Sequence, residues 1–137
     1  MRAVLDPNAL ISGVLSPSGA TAEVLRACDR GEFELLLSPM LLAELERALT
    51  YPKLRRRIPA EHAETLVGWL QEVATTAPDP AVGPSVRSAD AGDDYLIALA
   101  SSRRAALVSG DKHLLVLASE IPVFSAREFV ELLAGRS

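Results

Sequence analysis

Cysteine and aromatic residues are scarce in this sequence, and both shortages narrow what the protein can be. Cys28 is the only cysteine among 137 residues, so no disulfide can form within the chain. It lies beside Leu25 on an amphipathic stretch, where a lone cysteine is expected to pack as a small apolar residue. Phe, Tyr and Trp together make up 4 % of the chain, which argues against a broad aromatic surface for stacking nucleic-acid bases.

Long apolar runs and an excess of positive charge are also missing. No run approaches the roughly 18 apolar residues that a membrane span needs. Residues 1–6 lead into a strand-like run without the longer apolar stretch and cleavage site of a secretory signal, so we expect a cytoplasmic protein. The net charge is −4, from 18 acidic and 14 basic residues. Because nucleic-acid binders are usually basic, this balance argues against binding through the whole surface but allows a local basic patch.

The apolar pattern alternates between strand-like and helix-like spacing. Buried strands are predicted at residues 3–5, 33–37, 106–108 and 122–124, with helical spacing between them. Strands that alternate with helices form a parallel sheet covered on both faces. We therefore predict an α/β protein, a three-layer α/β/α sandwich with a central parallel sheet of four to five strands. At 137 residues, we expect a single domain over residues 1–137.

Turn and capping residues mark where the predicted helices begin and end. Ser38 and Pro39 form an N-cap followed by proline at the first helical position, and Pro52 ends that helix. Other helices are predicted from about residue 18 to 31, 59 to 73, 93 to 103, 111 to 117 and 125 to 133. The proline-rich stretch 77–92 is predicted to be a loop with a short extended piece at residues 82–86.

Acidic residues follow two of the predicted strands. Asp6 comes directly after residues 3–5, and Asp111 follows residues 106–108 by way of Ser109 and Gly110. The carboxyl ends of parallel strands form one edge of the sheet, where ligands usually bind. Two carboxylates about 5 Å apart repel each other by roughly 3 kcal/mol at an effective dielectric near 20. A divalent cation would relieve that repulsion, and oxygen ligands favour Mg²⁺ or Mn²⁺.

Two further acids lie on predicted helices. Glu44 falls beside the apolar face of the helix that begins at Ser38, and Asp93 and Asp94 open the helix that follows the loop. Two consecutive side chains cannot cap the same amide, so one aspartate explains the cap and the other is free for another role. Taken alone, each acid is more often a turn residue, a cap or a surface helix former. Their company favours Asp6, Glu44, Asp94 and Asp111 as metal ligands.

Polar neighbours of these acids are candidate supporting residues. Asn8 and Ser109 can orient a carboxylate or contact phosphate, and Asp93 adds to the local acidity. Basic residues cluster nearby in sequence at Lys53, Arg55, Arg56 and Arg57. Charge runs are most often solvated faces. Beside an acidic metal site, however, such a patch would hold a phosphodiester backbone that the carboxylates alone repel.

Four short segments, in order along the chain, resemble PIN-domain ribonucleases. Residues 4–12 read V-L-D-P-N-A-L-I-S, and the family often begins V-L-D-T-N-V-L-I-S. Residues 37–45 are similar to its serine-capped helix with one metal-binding glutamate. Residues 93–100 are similar to its third acidic motif, where the metal-binding aspartate precedes an I-A pair by two residues, which selects Asp94. Residues 107–115 resemble its fourth motif, often V-T-G-D-K-x-L-L.

This resemblance implies a fold, an activity and partners. It implies a metal-dependent endoribonuclease that hydrolyses RNA phosphodiester bonds with Mg²⁺ or Mn²⁺ held by Asp6, Glu44, Asp94 and Asp111. The resemblance is greatest to the VapC type of toxin in toxin–antitoxin pairs, which implies a homodimer restrained by a cognate antitoxin protein. The chain departs from the pattern at Pro7, where a small hydroxyl residue is usual, and at Ser109, where threonine is commoner.

Two other functions fit parts of the pattern. One is a PIN-like scaffold that has lost catalysis and binds a protein partner, although retention of all four acids argues against it. The other is a phosphotransfer domain of the receiver or phosphatase type, which also places acids at strand ends. Such phosphatases need D-x-D where this chain has Asp6-Pro7-Asn8, so we rank this alternative low.

Overall fold

A computed structural model of the chain describes residues 1–135, which form five strands and eight α-helices. The strands are β1 (Arg2–Leu5), β2 (Glu34–Leu37), β3 (Thr75–Thr76), β4 (Ala106–Val108) and β5 (Val123–Phe124). The helices are α1 (Pro7–Leu15), α2 (Ala20–Asp29), α3 (Pro39–Leu49), α4 (Pro52–Arg55), α5 (Ala60–Val73), α6 (Asp94–Ser102), α7 (Lys112–Leu115) and α8 (Ala126–Ala134). A single 3₁₀ turn, Ala91–Asp93, precedes α6.

All five strands are parallel, in the order β3-β2-β1-β4-β5. The central strand β1 pairs Ala3 with both Leu35 and Ala106, and it pairs Leu5 with Val108. The Asp6 amide continues this ladder by donating to the Val108 carbonyl at 3.1 Å. The residues that follow β1 and β4 therefore emerge side by side at one edge. This confirms the predicted α/β/α sandwich with a central parallel sheet.

The core explains why the strands are so apolar. Ala3, Val4 and Leu5 are fully buried, because helices cover both faces of the sheet. Helix α6 packs on β1 and β4 through a buried face that includes Leu96, and α1 contacts both α2 and α3. This packing fixes the beginnings of α1, α3 and α6 near the carboxyl edge of the sheet.

Capping residues set where several helices begin. The Asp6 and Ser38 side chains accept from backbone amides of α1 and α3, and each helix has proline at its first position. Ser125 and Glu128 form a reciprocal capping box at the start of α8. The predicted starts at Ser38 and Ser125 are therefore confirmed.

The structure departs from the sequence prediction in four places. One is the short helix α4, which was not predicted, because Pro52 was interpreted only as the end of the preceding helix. Helix α1 was not predicted, because the turn-like Asp6-Pro7-Asn8 segment serves as its cap and first turn. The two-residue strand β3 was also not predicted, since it is defined by its pairing with Leu36 and Leu37. The extended piece predicted at residues 82–86 is wrong, because that stretch contains only bends and irregular backbone.

Among residues 1–135, no helix is long and apolar enough to cross a membrane.

Candidate functional site

Asp6 is the buried centre of the site. It is only 4 % exposed, because it lies between the end of the buried strand β1 and the first turn of α1, which it caps. Oδ1 accepts from the Ala9 amide at 2.8 Å, and Oδ2 accepts a short hydrogen bond from the Ser109 hydroxyl. Burial raises the pKa of Asp6, while the hydrogen bonds from Ser109 and Ala9 oppose that rise. The protein thus holds this carboxyl in one orientation.

Ser109 connects Asp6 to Asp111. Its buried hydroxyl donates to Asp6 and accepts from the Asp111 amide at 3.0 Å. The Asp111 carboxylate caps α7, where Oδ1 accepts from the His113 amide at 2.8 Å. The ends of β1 and β4 are therefore joined by side-chain hydrogen bonds as well as by the sheet.

Three of the predicted acids line one cavity of about 180 Å³, which we call the acidic cavity. Asp6, Glu44 and Asp111 are joined there by Asp93. The other residues that line it are Pro7, Asn8, Ala48, Tyr51, Gly92, Tyr95 and Leu96. Side chains from the segments that follow β1 and β4, and from α1, α3 and α6, therefore converge at the carboxyl edge of the sheet.

Asp94, the fourth predicted acid, does not line the acidic cavity. Its Oδ1 accepts from the Ser88 amide at 2.8 Å, and its Oδ2 lies 3.4 Å from Nη1 of Arg87. Asp94 therefore ties down the end of the loop that precedes α6. The structure brings Asp93, which the sequence treated as a supporting residue, to the other three acids instead.

Asp93 has the surroundings expected of a cation ligand. The pKa of Asp93 is raised to about 7, chiefly because the carboxyl is buried. A hydrogen bond with Asp111 and the negative charge of Asp111 raise it further. Its Oδ2 is buried and has no hydrogen-bond partner among residues 1–135. A buried, unpaired carboxylate oxygen beside another acid is costly unless a proton or a cation compensates it.

Glu44 and two tyrosines form the other side of the acidic cavity. Glu44 is 41 % exposed and forms an ion pair with Arg47, three residues further along α3. Tyr95 is partly buried, and both burial and the charge of Glu44 raise its pKa above the usual range, so its hydroxyl stays protonated. Sequence reasoning missed Arg47, Tyr51 and Tyr95. The available signal was that Tyr95 directly follows Asp93 and Asp94.

The acidic residues fit a hydrated cation better than a closed metal cage. Within residues 1–135, no three His, Cys, Asp or Glu side chains are grouped so that they could hold a metal ion. The donor set nevertheless consists of carboxylates, and Asp93 contributes a buried oxygen without a partner. Mg²⁺ commonly keeps several waters and uses one or two carboxylates together with substrate phosphates. The residues therefore fit Mg²⁺ or Mn²⁺ held in that open manner.

A second cavity, of about 350 Å³, lies against two of the same acids. It shares Asp6, Asn8 and Asp111 with the acidic cavity, so the predicted residue Asn8 lies between the two. We call it the hydroxyl-lined cavity, since its remaining lining is Ala9, Ser12, Thr21, Val108, Ser109, Gly110 and Ala126. Ser109 thus belongs to both the hydrogen-bonded centre and this second space.

The basic cluster lies on α4 and the turn after it. Lys53, Arg55, Arg56 and Arg57 are all exposed, and none of them lines the acidic cavity. Helix α4 nevertheless starts directly after Tyr51, which does line that cavity. The Nε atoms of Arg55 and Arg56 donate to backbone carbonyls, each at 3.3 Å. An RNA-binding role for the cluster stays a prediction.

Fold and site together define a parallel α/β/α domain with an acidic cavity at the carboxyl edge of its sheet. The PIN domain family model matches residues 2–113, so this chain belongs to the PIN domain family. PIN domains are generally nucleases, and PIN nucleases generally use divalent metal ions. No curated protein matches the sequence.

Two solved structures are similar to this one in fold. A chain of VapBC2 from Rickettsia felis, bound to a DNA fragment from its promoter, has a TM-score of 0.62 at 12 % identity, covering 91 % of this chain and 98 % of the other. PAE2754 from Pyrobaculum aerophilum has a TM-score of 0.67 at 19 % identity, covering 98 % of this chain and 90 % of the other. At these identities the likeness concerns the fold.

Proposed function

We propose that this protein is a metal-dependent endoribonuclease that hydrolyses RNA phosphodiester bonds. The observation that carries the proposal is the acidic cavity, where Asp6, Glu44, Asp93 and Asp111 meet at the carboxyl edge of the sheet. Membership of the PIN domain family supports nuclease chemistry at this place. The choice of RNA rests on the resemblance of the sequence motifs to PIN-domain ribonucleases.

Asp6, Asp93 and Asp111 would hold Mg²⁺ or Mn²⁺, with Glu44 at the exposed side. A divalent cation bound there supplies a Lewis acid that activates water and offsets negative charge at the phosphate. Ser109 keeps the Asp6 carboxylate oriented through its hydrogen bond, and burial excludes bulk water from that carboxylate. The protonated Tyr95 hydroxyl can donate to a phosphate oxygen from the cavity wall.

The surface around the cavity has charges that suit a phosphodiester backbone. Arg47 lies beside Glu44, and the exposed Lys53, Arg55, Arg56 and Arg57 follow Tyr51 along the chain. These cations would attract phosphates that flank the cleaved bond, because backbone contacts supply most of the electrostatic affinity for nucleic acid. The net charge of −4 confines such attraction to this local patch.

We further propose that the protein is the toxin of a toxin–antitoxin pair and acts in the cytoplasm as a homodimer. The fold likeness to a chain of VapBC2 supports an antitoxin partner, as does the VapC-like order of the motifs. Expression with the product of a neighbouring gene should give a complex that purifies together and lacks RNA cleavage. Light scattering on the free protein should give twice the chain mass; a monomer at micromolar concentration would rule out the homodimer.

RNA cleavage by substituted proteins tests the nuclease proposal. With Mg²⁺ or Mn²⁺, Asp6→Asn and Asp93→Asn should each lower the cleavage rate at least about 100-fold, because each removes a carboxylate that would hold the cation. Asp94→Asn should lower it much less, since an asparagine oxygen can still accept from the Ser88 amide. If Asp94→Asn is the inactive variant and Asp93→Asn is active, the metal ligand is Asp94, as the spacing of the motif predicts.

A matched pair on α3 provides the control. Glu44→Gln should reduce cleavage, whereas Glu46→Gln should not, because Glu46 is exposed and does not line the acidic cavity. Equal cleavage by the unsubstituted protein and by Asp6→Asn would overturn the nuclease proposal. Calorimetric titration with Mn²⁺ then decides about the scaffold alternative: a PIN-like scaffold without catalysis would show no metal binding that depends on Asp6.

A further inference from the structure

The hydroxyl-lined cavity shares Asp6 and Asp111 with the proposed metal site, and neutral polar side chains on α1 and α2 lie on its other side. Asn8 and Ser12 lie on α1, Thr21 lies on the first turn of α2, and Gly110 follows β4. The side chains of Asn8, Ser12 and Thr21 have no hydrogen-bond partner within residues 1–135. Asn8 and Ser12 are exposed and Thr21 is half-buried, so these three neutral polar groups can bind a ligand in place of solvent.

The acids on its wall restrict what this cavity can hold. Asp6 and Asp111 form the wall that it shares with the acidic cavity, so a free anion would meet two carboxylates there. A group that both donates and accepts suits this lining better. Sugar hydroxyls can donate to a carboxylate and accept from the Asn8 amide or from the Ser12 and Thr21 hydroxyls. No lysine or arginine lines the cavity that would favour a phosphate instead.

We propose that the hydroxyl-lined cavity receives the ribose next to the cleaved phosphate and selects RNA over DNA through the 2′-hydroxyl. This inference rests on the proposed function, because the phosphate would lie at the wall shared with the acidic cavity. A cavity of about 350 Å³ lies within the usual size range of ligand pockets. The 2′-hydroxyl is the group by which a protein distinguishes the two nucleic acids at one position.

Gly110 offers a way to fill this cavity without disturbing the fold. A Cβ built at Gly110 meets no heavy atom within 4 Å, so an alanine methyl would project into open space. Among the described glycines only Gly31 has a positive φ, so alanine at Gly110 causes no backbone strain. Gly68 on α5 is a matched control, because its Cβ also meets nothing within 4 Å and it does not line the cavity.

Binding of mononucleotides tests the inference without requiring cleavage. The amide resonances of Ser12, Thr21 and Gly110 would be followed by NMR while uridine 5′-monophosphate or 2′-deoxyuridine 5′-monophosphate is added in the presence of Mg²⁺. We expect shifts at these amides and about 3- to 10-fold tighter binding of the ribonucleotide, the range given by one or two modest hydrogen bonds. Ser12→Ala and Thr21→Val should each reduce that ratio towards one. Gly110→Ala should weaken both nucleotides, and Gly68→Ala neither.

The outcomes separate this inference from the nuclease proposal. Equal affinity for the two nucleotides, or shifts confined to residues outside the cavity, would overturn the ribose site even if the protein cleaves RNA. Discrimination that disappears in Thr21→Val would support it even if no cleavage is detected. In a cleavage assay, an RNA with one 2′-deoxy substitution beside the cleaved bond should have a raised KM with the unsubstituted protein but not with Thr21→Val.

Discussion

Ser109 is the residue on which the geometry of the buried acid depends most directly. Its hydroxyl is the only side-chain donor to Asp6 among the described residues, and it also accepts from the Asp111 amide. Ser109→Ala should lower the free energy of unfolding by about 1–3 kcal/mol, because it leaves a buried carboxylate oxygen without its donor. Urea unfolding of the metal-free protein measures this change.

Ser109→Thr is the natural control for that substitution. Threonine keeps the hydroxyl, and it is the residue that the resembled motif commonly carries. It should retain more of the stability and activity than alanine does. If alanine and threonine destabilise the protein equally, volume at this buried position matters and the hydrogen bond to Asp6 does not.

Titration of the Cys28 thiol should lower the free energy of unfolding at alkaline pH. The thiol is 7 % exposed, and burial, with a smaller effect of the Asp29 charge, raises its pKa from 9.0 to about 11. The folded state therefore holds the proton more tightly than the unfolded state does. This contribution is complete below about pH 9 and is lost as pH rises towards 11, by about 3 kcal/mol in total. Urea unfolding at pH 8 and pH 10.5 measures it.

Cys28→Ala removes this titration and leaves the other alkaline groups in place. The difference in stability between the unsubstituted protein and the variant should therefore shrink as pH rises. A difference that is constant over this range would show that the Cys28 thiol has the same pKa in the folded and unfolded states.

At the scale of single elements, α5 contains a position where the sequence is not optimal for a helix. Gly68 lies inside the 14-residue helix, and a Cβ there meets nothing within 4 Å. Gly68→Ala should raise the free energy of unfolding by about 0.5–1 kcal/mol, because alanine loses less backbone entropy on folding. Thermal or urea unfolding measures the gain.

Gly13 on α1 is the corresponding control. A Cβ there would lie 2.5 Å from Cδ1 of Leu25, so α2 or the Leu25 side chain would have to shift. Gly13→Ala should therefore not share the gain. Equal stabilisation by the two substitutions would mean that the space around a helical glycine has no influence here.

The elements that sequence reasoning found and missed differ in how local their causes are. The helix from Ser38 was predictable because its cap and its first residue, Pro39, are adjacent in the sequence. Helix α1 was not predicted because Asp6 directly follows a strand, and the segment Asp6-Pro7-Asn8 has the residues of a turn as well as those of a helix cap. Strand β3 has no local pattern, since Thr75 and Thr76 become a strand only by pairing with β2.

The same distinction applies to the site. Convergence of Asp6 and Asp111 followed from the rule for parallel strand ends, which needs no detail of packing. Which of Asp93 and Asp94 lines the acidic cavity did need such detail, because it depends on the 3₁₀ turn and on the hydrogen bond from the Ser88 amide to Asp94. The hydroxyl-lined cavity could not be predicted, because Ser12 and Thr21 meet only through the packing of α1 against α2.

At the scale of the whole molecule, the overall charge opposes RNA binding while one patch favours it. Replacing Lys53 or Arg57 by glutamine should weaken RNA binding similarly for all sequences. Each replacement should also reduce the slope of log affinity against log salt by roughly one, if the residue contacts a phosphate. Fluorescence anisotropy with a labelled RNA from low to moderate salt measures both quantities, and Ca²⁺ in place of Mg²⁺ limits cleavage.

Arg30→Gln is the matched control for these replacements. Arg30 follows the last residue of α2, about 15 Å along the ten-residue helix from the end that lines the hydroxyl-lined cavity. It has the same charge as Arg57 but lines neither the acidic nor the hydroxyl-lined cavity, so we expect its replacement to leave the salt slope unchanged. If Arg30→Gln lowers the slope as much as Arg57→Gln does, RNA attraction comes from the total charge of the protein and the patch on α4 has no special role.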